Sequence, residues 1–208
     1  MSYIPKDAVT QAFRSNKGVL TPNQIIELDN ENKFTKFGQL ELIETQTVSS
    51  VSTFEFADLK DYNVHFLTVS DAKNSDSGKG LAFRFFESGT LESSNVYLTA
   101  RQTCGADGTF SDNRSTGQST IRLGDNTDIP SAARGNINGY MYLYDLLDST
   151  KSSNVTYHST GFNNTPRGEF RFGSGVLAQQ SYVNKIQGLS FDTGTITGDF
   201  SLYGIRFA

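Results

Sequence analysis

After Gly38 apolar and polar residues alternate one by one in segment after segment, and this two-residue period constrains the fold more than any other feature. Strand side chains point to opposite faces in turn, so each run reads as one apolar and one wetter face. LELIETQTV (40–48) and VSTFEFA (51–57) come first, the second with Phe54 and Phe56 on one side. NVHFLTVS (63–70) sets Val64 and Phe66 against His65, Leu67 and Val69. GLAFRFFE (80–87) sets Leu81, Phe83 and Phe85 against Ala82, Arg84 and Phe86. NVYLTARQ (95–102), QSTIRLG (118–124) and INGYMYLY (137–144) follow, the last with Met141 and Leu143 against Tyr140, Tyr142 and Tyr144. NVTYHST, GEFRFG, VNKIQGLSF and GDFSLYGIRF close the series.

Roughly ten or eleven short strands, separated by Gly, Asn, Asp and Ser clusters, are the pattern of an all-β sandwich or barrel. No helical period interrupts them, which excludes βαβ units. The expectation is a two-sheet antiparallel, jelly-roll-like sandwich over residues 39–208. Its core is expected to hold Phe54, Phe56, Phe66, Phe83, Phe85, Met141, Leu143, Phe170, Phe172, Leu202 and Ile205. Long polar stretches at 71–80, 103–117 and 124–136 read as loops, either solvated or in contact with something. Phe83-Arg84-Phe85 with Ser88-Gly89 is similar to Phe170-Arg171-Phe172 with Ser174-Gly175, which leaves paired halves or chance open.

Residues 1–38 read differently, as an N-terminal arm that is extended and partly helical. TPNQIIELDNEN is a helix candidate in which Thr21 is the N-cap, Pro22 occupies N1 and Gln24 completes a capping box. Tyr3, Ile4, Phe13, Leu20, Ile25, Ile26 and Leu28 give this arm apolar surface but too little for a core, so it is expected to dock on the sandwich or on a neighbouring subunit.

Charge and cysteine usage narrow the partners. The 18 Lys and Arg stand against 22 Asp and Glu, interspersed, for a net charge of −4, with no basic stripe to follow a phosphate backbone. Neither nucleic acid nor an anionic membrane is expected as a partner. No run approaches the ~20 apolar residues of a membrane span, and MSYIPKDAVTQAF has no apolar signal core. Cys104 is the only cysteine, so no intrachain disulfide can form, which fits folding in a reducing cytoplasm.

Catalytic chemistry has little to start from. His65 and His158 are the only histidines and have no Cys or acidic residue at metal-ligand spacing. No Gly-x-Ser-x-Gly elbow occurs, and Cys104 lies in QTCGADG without a histidine nearby in sequence. Glu41, Glu44, Glu55, Glu87 and Glu169 lie on expected strands, where a pair could converge as in a glycosidase or simply face solvent. The expectation is a non-enzyme with no catalytic residue, cofactor or metal.

Several of these residues resemble a known group. FEF (54–56), Leu59 and Tyr62 leading into VHFL, then LAFRFFESG and NVY, and finally GTITGDFSLYGI are similar to small jelly-roll virion structural proteins of marine tailed phages, cyanophage-like in character. The resemblance covers roughly residues 50–207 and carries no catalytic signature. It implies a virion protein, folded in the host cytoplasm and placed on a tail or fibre, with capsid decoration as the alternative position. Its partners would be other virion proteins and further copies of itself. A lectin-like sandwich that binds a host-surface glycan is the competing reading.

Overall fold

The computed structural model describes residues 40–76, 79–123, 136–162 and 167–205, together with Asn23, Ile26, Glu27 and Asn30. The chain divides into a unit of Met1–Gly38 with Phe207–Ala208 and a unit of Gln39–Arg206. In the first, Asn23, Ile26, Glu27 and Asn30 are helical and exposed.

The second unit is a two-sheet antiparallel sandwich. Its strands are β1 (Leu40–Val51), β2 (Thr53–Phe56), β3 (Val64–Asn74), β4 (Leu81–Glu87), β5 (Thr90–Leu91), β6 (Tyr97–Gly105), β7 (Phe110–Gln118), β8 (Ile121–Arg122), β9 (Ile137–Tyr144), β10 (Ser152–Phe162), β11 (Gly168–Gln180), β12 (Val183–Ser190) and β13 (Ile196–Ile205). The large sheet has eight strands in the order β1-β13-β3-β9-β10-β11-β6-β7. The small sheet runs β2-β12-β4-β5, with β8 also paired to β4. Between β4 and β5 the chain reverses through Ser88 and Gly89, whose φ values of 48° and 90° make the double left-handed turn that suits the twist of a hairpin.

The core lies between the sheets and is built largely of rings. Phe54, Phe56, Phe83 and Phe85 enter from the small sheet; Leu67, Met141, Leu143, Phe200 and Leu202 enter from the large one, all buried. Phe54 is the meeting point, 4.2 Å from the Phe200 ring and 5.9 Å from Phe56. It lies across Gly188, its register partner on β12, where a Cβ would stand 2.2 Å from the ring. Each such side chain taken from water stabilises the fold by roughly 1.5–3 kcal/mol. Two polar rings of the core, Tyr97 and His65, are tied to the backbone. Tyr97 Oη accepts from the Phe85 amide at 3.0 Å and donates to the Glu92 carbonyl at 3.2 Å, and burial pushes its hydroxyl pKa up. His65 Nε2 donates to the Leu59 carbonyl at 2.6 Å.

Several sequence expectations need correction. Residues 103–117 do not form one loop: β6 continues to Gly105 and returns as β7, so this stretch is a hairpin at the edge of the large sheet. Its polarity misled because an edge strand can be solvated on both faces. β3 likewise continues to Asn74, into the stretch read as a loop. Phe66 and Ile205 are half-buried, and Phe170 and Phe172 are 44% and 37% exposed; all four point away from the small sheet. On β3 the inward residues are His65, Leu67 and Val69. On β11 they are Glu169 and Arg171, which pair with each other, while Arg167 bridges Glu169 at 2.6 Å and Asp107 at 2.7 Å. The two Phe-Arg-Phe triplets therefore face opposite ways, Phe83 and Phe85 into the core and Phe170 and Phe172 out of it. They are not equivalent halves. Of the 124–136 loop, only Asn136 lies within the described residues.

Candidate functional site

The outward rings meet. Pairing of β13, β3 and β9 sets Tyr203, Phe66 and Tyr142 side by side, and pairing of β9, β10 and β11 does the same for Tyr140, His158 and Phe172. Ring centroids are 6.3 Å apart for Phe66–Tyr203, 4.9 Å for Phe66–Tyr142, 5.7 Å for Phe66–Tyr140 and 5.2 Å for Tyr140–His158. His158 then touches Phe170 at 5.7 Å and Phe172 at 6.3 Å. Tyr140 Oη and His158 Nδ1 are hydrogen-bonded at 2.8 Å, which fixes the imidazole in the row. With strands ~4.8 Å apart, this continuous aromatic surface spans about 20 Å of the sheet. Leu40 and Leu42, 51% and 60% exposed on β1, extend the apolar character to that edge.

An antiparallel sheet packed on one side ordinarily turns polar residues to water on the other. Here both faces of the large sheet are apolar over its middle strands. The Tyr140-x-Tyr142-x-Tyr144 string was visible in the sequence. What sequence reasoning missed was that five strands distant in the chain would bring their rings to one face.

Beyond Phe172 the outer face becomes a groove. One hollow of about 450 Å³ is bordered by Phe172 and His158 on one side and Asp112 and Arg114 on the other. A second, of about 570 Å³, reaches Leu98 and Val176. The two share Ala100, Ser174 and Arg114, so they run together along β6 and β11.

The residues considered for catalysis lie apart. His65 is wholly buried in the core, whereas His158 and Cys104 are on the outer face, with Cys104 beside Phe170 rather than beside the imidazole. The strand glutamates have separate partners: Glu41 accepts from Tyr62 at 2.6 Å, Glu44 from Gln46, Glu55 from Gln187 at 3.4 Å, Glu87 from Gln179, and Glu169 from its arginines. No three His, Cys, Asp or Glu side chains among the described residues are grouped to hold a metal ion. No helix among them is long and apolar enough to cross a membrane. Of the arm residues, Ile26 is helical and 57% exposed; Tyr3, Ile4, Phe13, Leu20, Ile25 and Leu28 lie outside the described residues.

Comparison of the chain with protein-family models, with curated proteins and with solved structures gave no match.

Proposed function

We propose that this chain is a non-enzymatic structural component of a bacteriophage virion, associated with the tail or its fibres. It assembles with further copies of itself and with other virion proteins through the outer face of the large sheet, and residues 1–38 serve as a second attachment. The observation that carries this reading is the aromatic surface from Tyr203 to Phe172 on a sheet whose other face already forms the core. Contiguous exposed apolar surface marks a contact site, and a ring-covered sheet suits packing against another flat apolar surface. A fold with no intrachain disulfide and the resemblance at residues 50–207 support the same reading.

Sedimentation velocity on the purified chain tests the assembly part. The expected result is a discrete oligomer that dissociates when Phe66 and Tyr142 are both replaced by Ser. A species that stays monomeric at high micromolar concentration would count against self-association through this face. Immunogold labelling and quantitative mass spectrometry of isolated particles then test the location, with fixed copy number and tail labelling expected; label on the head would favour capsid decoration.

A further inference from the structure

We propose that the groove along β6 and β11 is a binding site for a short neutral oligosaccharide, a role beyond the assembly reading that shares Phe172 and His158 with the assembly face. The groove lies at the β7 end of the large sheet, where Phe172 and His158, the last outward rings, form one border, and it runs shallow and open along β6. Its ends differ in chemistry. Phe172 presents a partly exposed ring at one end, and Leu98 and Val176 supply an aliphatic end, four strand positions or ~13 Å away. A pyranose ring has apolar C–H faces that lie flat on such a ring and hydroxyls around its rim that need planar hydrogen-bonding partners.

Those partners line the wall. Asp112 and Arg114 are two apart on β7 and project to the same face, yet they form no ion pair with each other. Neither side chain has a hydrogen bond to a protein group among the described residues, and the same holds for the side chain of Gln102 on the facing strand. Several other exposed acids of the sandwich are engaged. Asp107 is held by Thr109 and Arg167, Asp148 by Thr150 and Lys151, and Asp71 by Lys73 and Asn136. A carboxylate and a guanidinium side by side sum to no net charge, so the wall selects neither an anion nor a cation. A polyol satisfies both, donating to Asp112 and accepting from Arg114. A second sheet laid flat over β6 and β7 would strand both charges. An extended peptide would pair with the free edge of β7 rather than lie over side chains in the sheet interior.

The test is titration of the isotope-labelled chain with maltotetraose, cellotetraose and chitotetraose, with sialyllactose as a charged comparison, read by amide chemical shifts. At least one neutral tetrasaccharide should give saturable shifts confined to β6, β7 and β11. Phe172→Ala should weaken that binding about tenfold, Phe172→Tyr should restore it, and Asp112→Asn and Arg114→Gln should each weaken it, all with unchanged unfolding midpoints. Four outcomes overturn the proposal. The neutral sugars produce no shifts at millimolar concentration; the shifts map outside the groove; only sialyllactose binds; or the groove residues shift with protein concentration alone, which would make a second copy the occupant.

Discussion

His65 shows how a single core residue ties this fold to pH. The imidazole is wholly buried, its Nε2 proton is committed to the Leu59 carbonyl, and Nδ1 has no hydrogen-bond partner. A second proton would have to enter at Nδ1, so burial holds the pKa below its ordinary value of 6.5. Above that value the folded and unfolded chains are both neutral at this position, and the residue imposes no pH dependence. As pH falls through about 6.5 the unfolded chain takes up a proton that the folded chain refuses, so stability declines until the lower folded pKa is reached. Urea unfolding of the wild-type chain should therefore show a midpoint that drops between pH 7.5 and 5. His65→Gln, which keeps a donor towards Leu59, should lower the midpoint at pH 7.5 but flatten that drop. An equal pH slope in both proteins would assign the effect to other groups.

At the scale of strands, the parity of each one decides which rings matter for stability. Phe83 on β4 is fully buried, whereas Phe170 on β11 is 44% exposed, although both sit in a Phe-Arg-Phe triplet. Phe83→Ala should cost about 3–5 kcal/mol, the usual range for opening a ring-sized hole in a core. Phe170→Ala should cost under about 1 kcal/mol in the isolated chain. Guanidinium unfolding of the two variants checks the difference, and similar losses would mean that β11 packs the other way round. The same pair explains what was legible in the sequence. Period-two alternation located nearly every strand, because it depends only on neighbours along the chain. Where one face is polar, as on β4 with Arg84, it also told inside from outside. On β3 both faces are apolar, and on β11 the charged residues face inward to a mutual ion pair, so local pattern carried no information about direction. β7 was missed for the opposite reason, since an edge strand reading FSDNRSTGQ buries almost nothing. The groove was beyond reach for the same cause, because Phe172, Ala100 and Arg114 come together only through the β11–β6–β7 register.

For the whole molecule, the decisive fact is that the large sheet is closed by its last strand. β13 lies between β1 and β3, so the start of the sandwich is held by its end; Thr45 and Ser201, 156 positions apart, share a hydrogen bond. Thr47 Oγ1 adds another to Asp199 at 2.7 Å. β13 also sends Ile196, Phe200 and Leu202 into the core, each buried. At roughly 1.5–3 kcal/mol apiece these three side chains alone contribute about 5–9 kcal/mol, comparable to the whole net stability of an ordinary domain. Without β13, β1 has no neighbour in its sheet and β3 becomes a raw edge with apolar residues on both faces, which favours aggregation. A chain ending at residue 195 should thus lack a cooperative unfolding transition and collect in the insoluble fraction, whereas the full chain unfolds in one step. Adding a synthetic peptide of residues 196–208 during refolding should restore soluble, cooperatively folded protein, because it supplies the missing ladder on both sides at once. Pairings of such long range also make folding slow, and the full chain should refold over milliseconds to seconds in stopped-flow measurements. A truncated chain that still melts cooperatively without the peptide would show that the small sheet and the remaining strands make a domain by themselves, and that β13 is not what closes the fold.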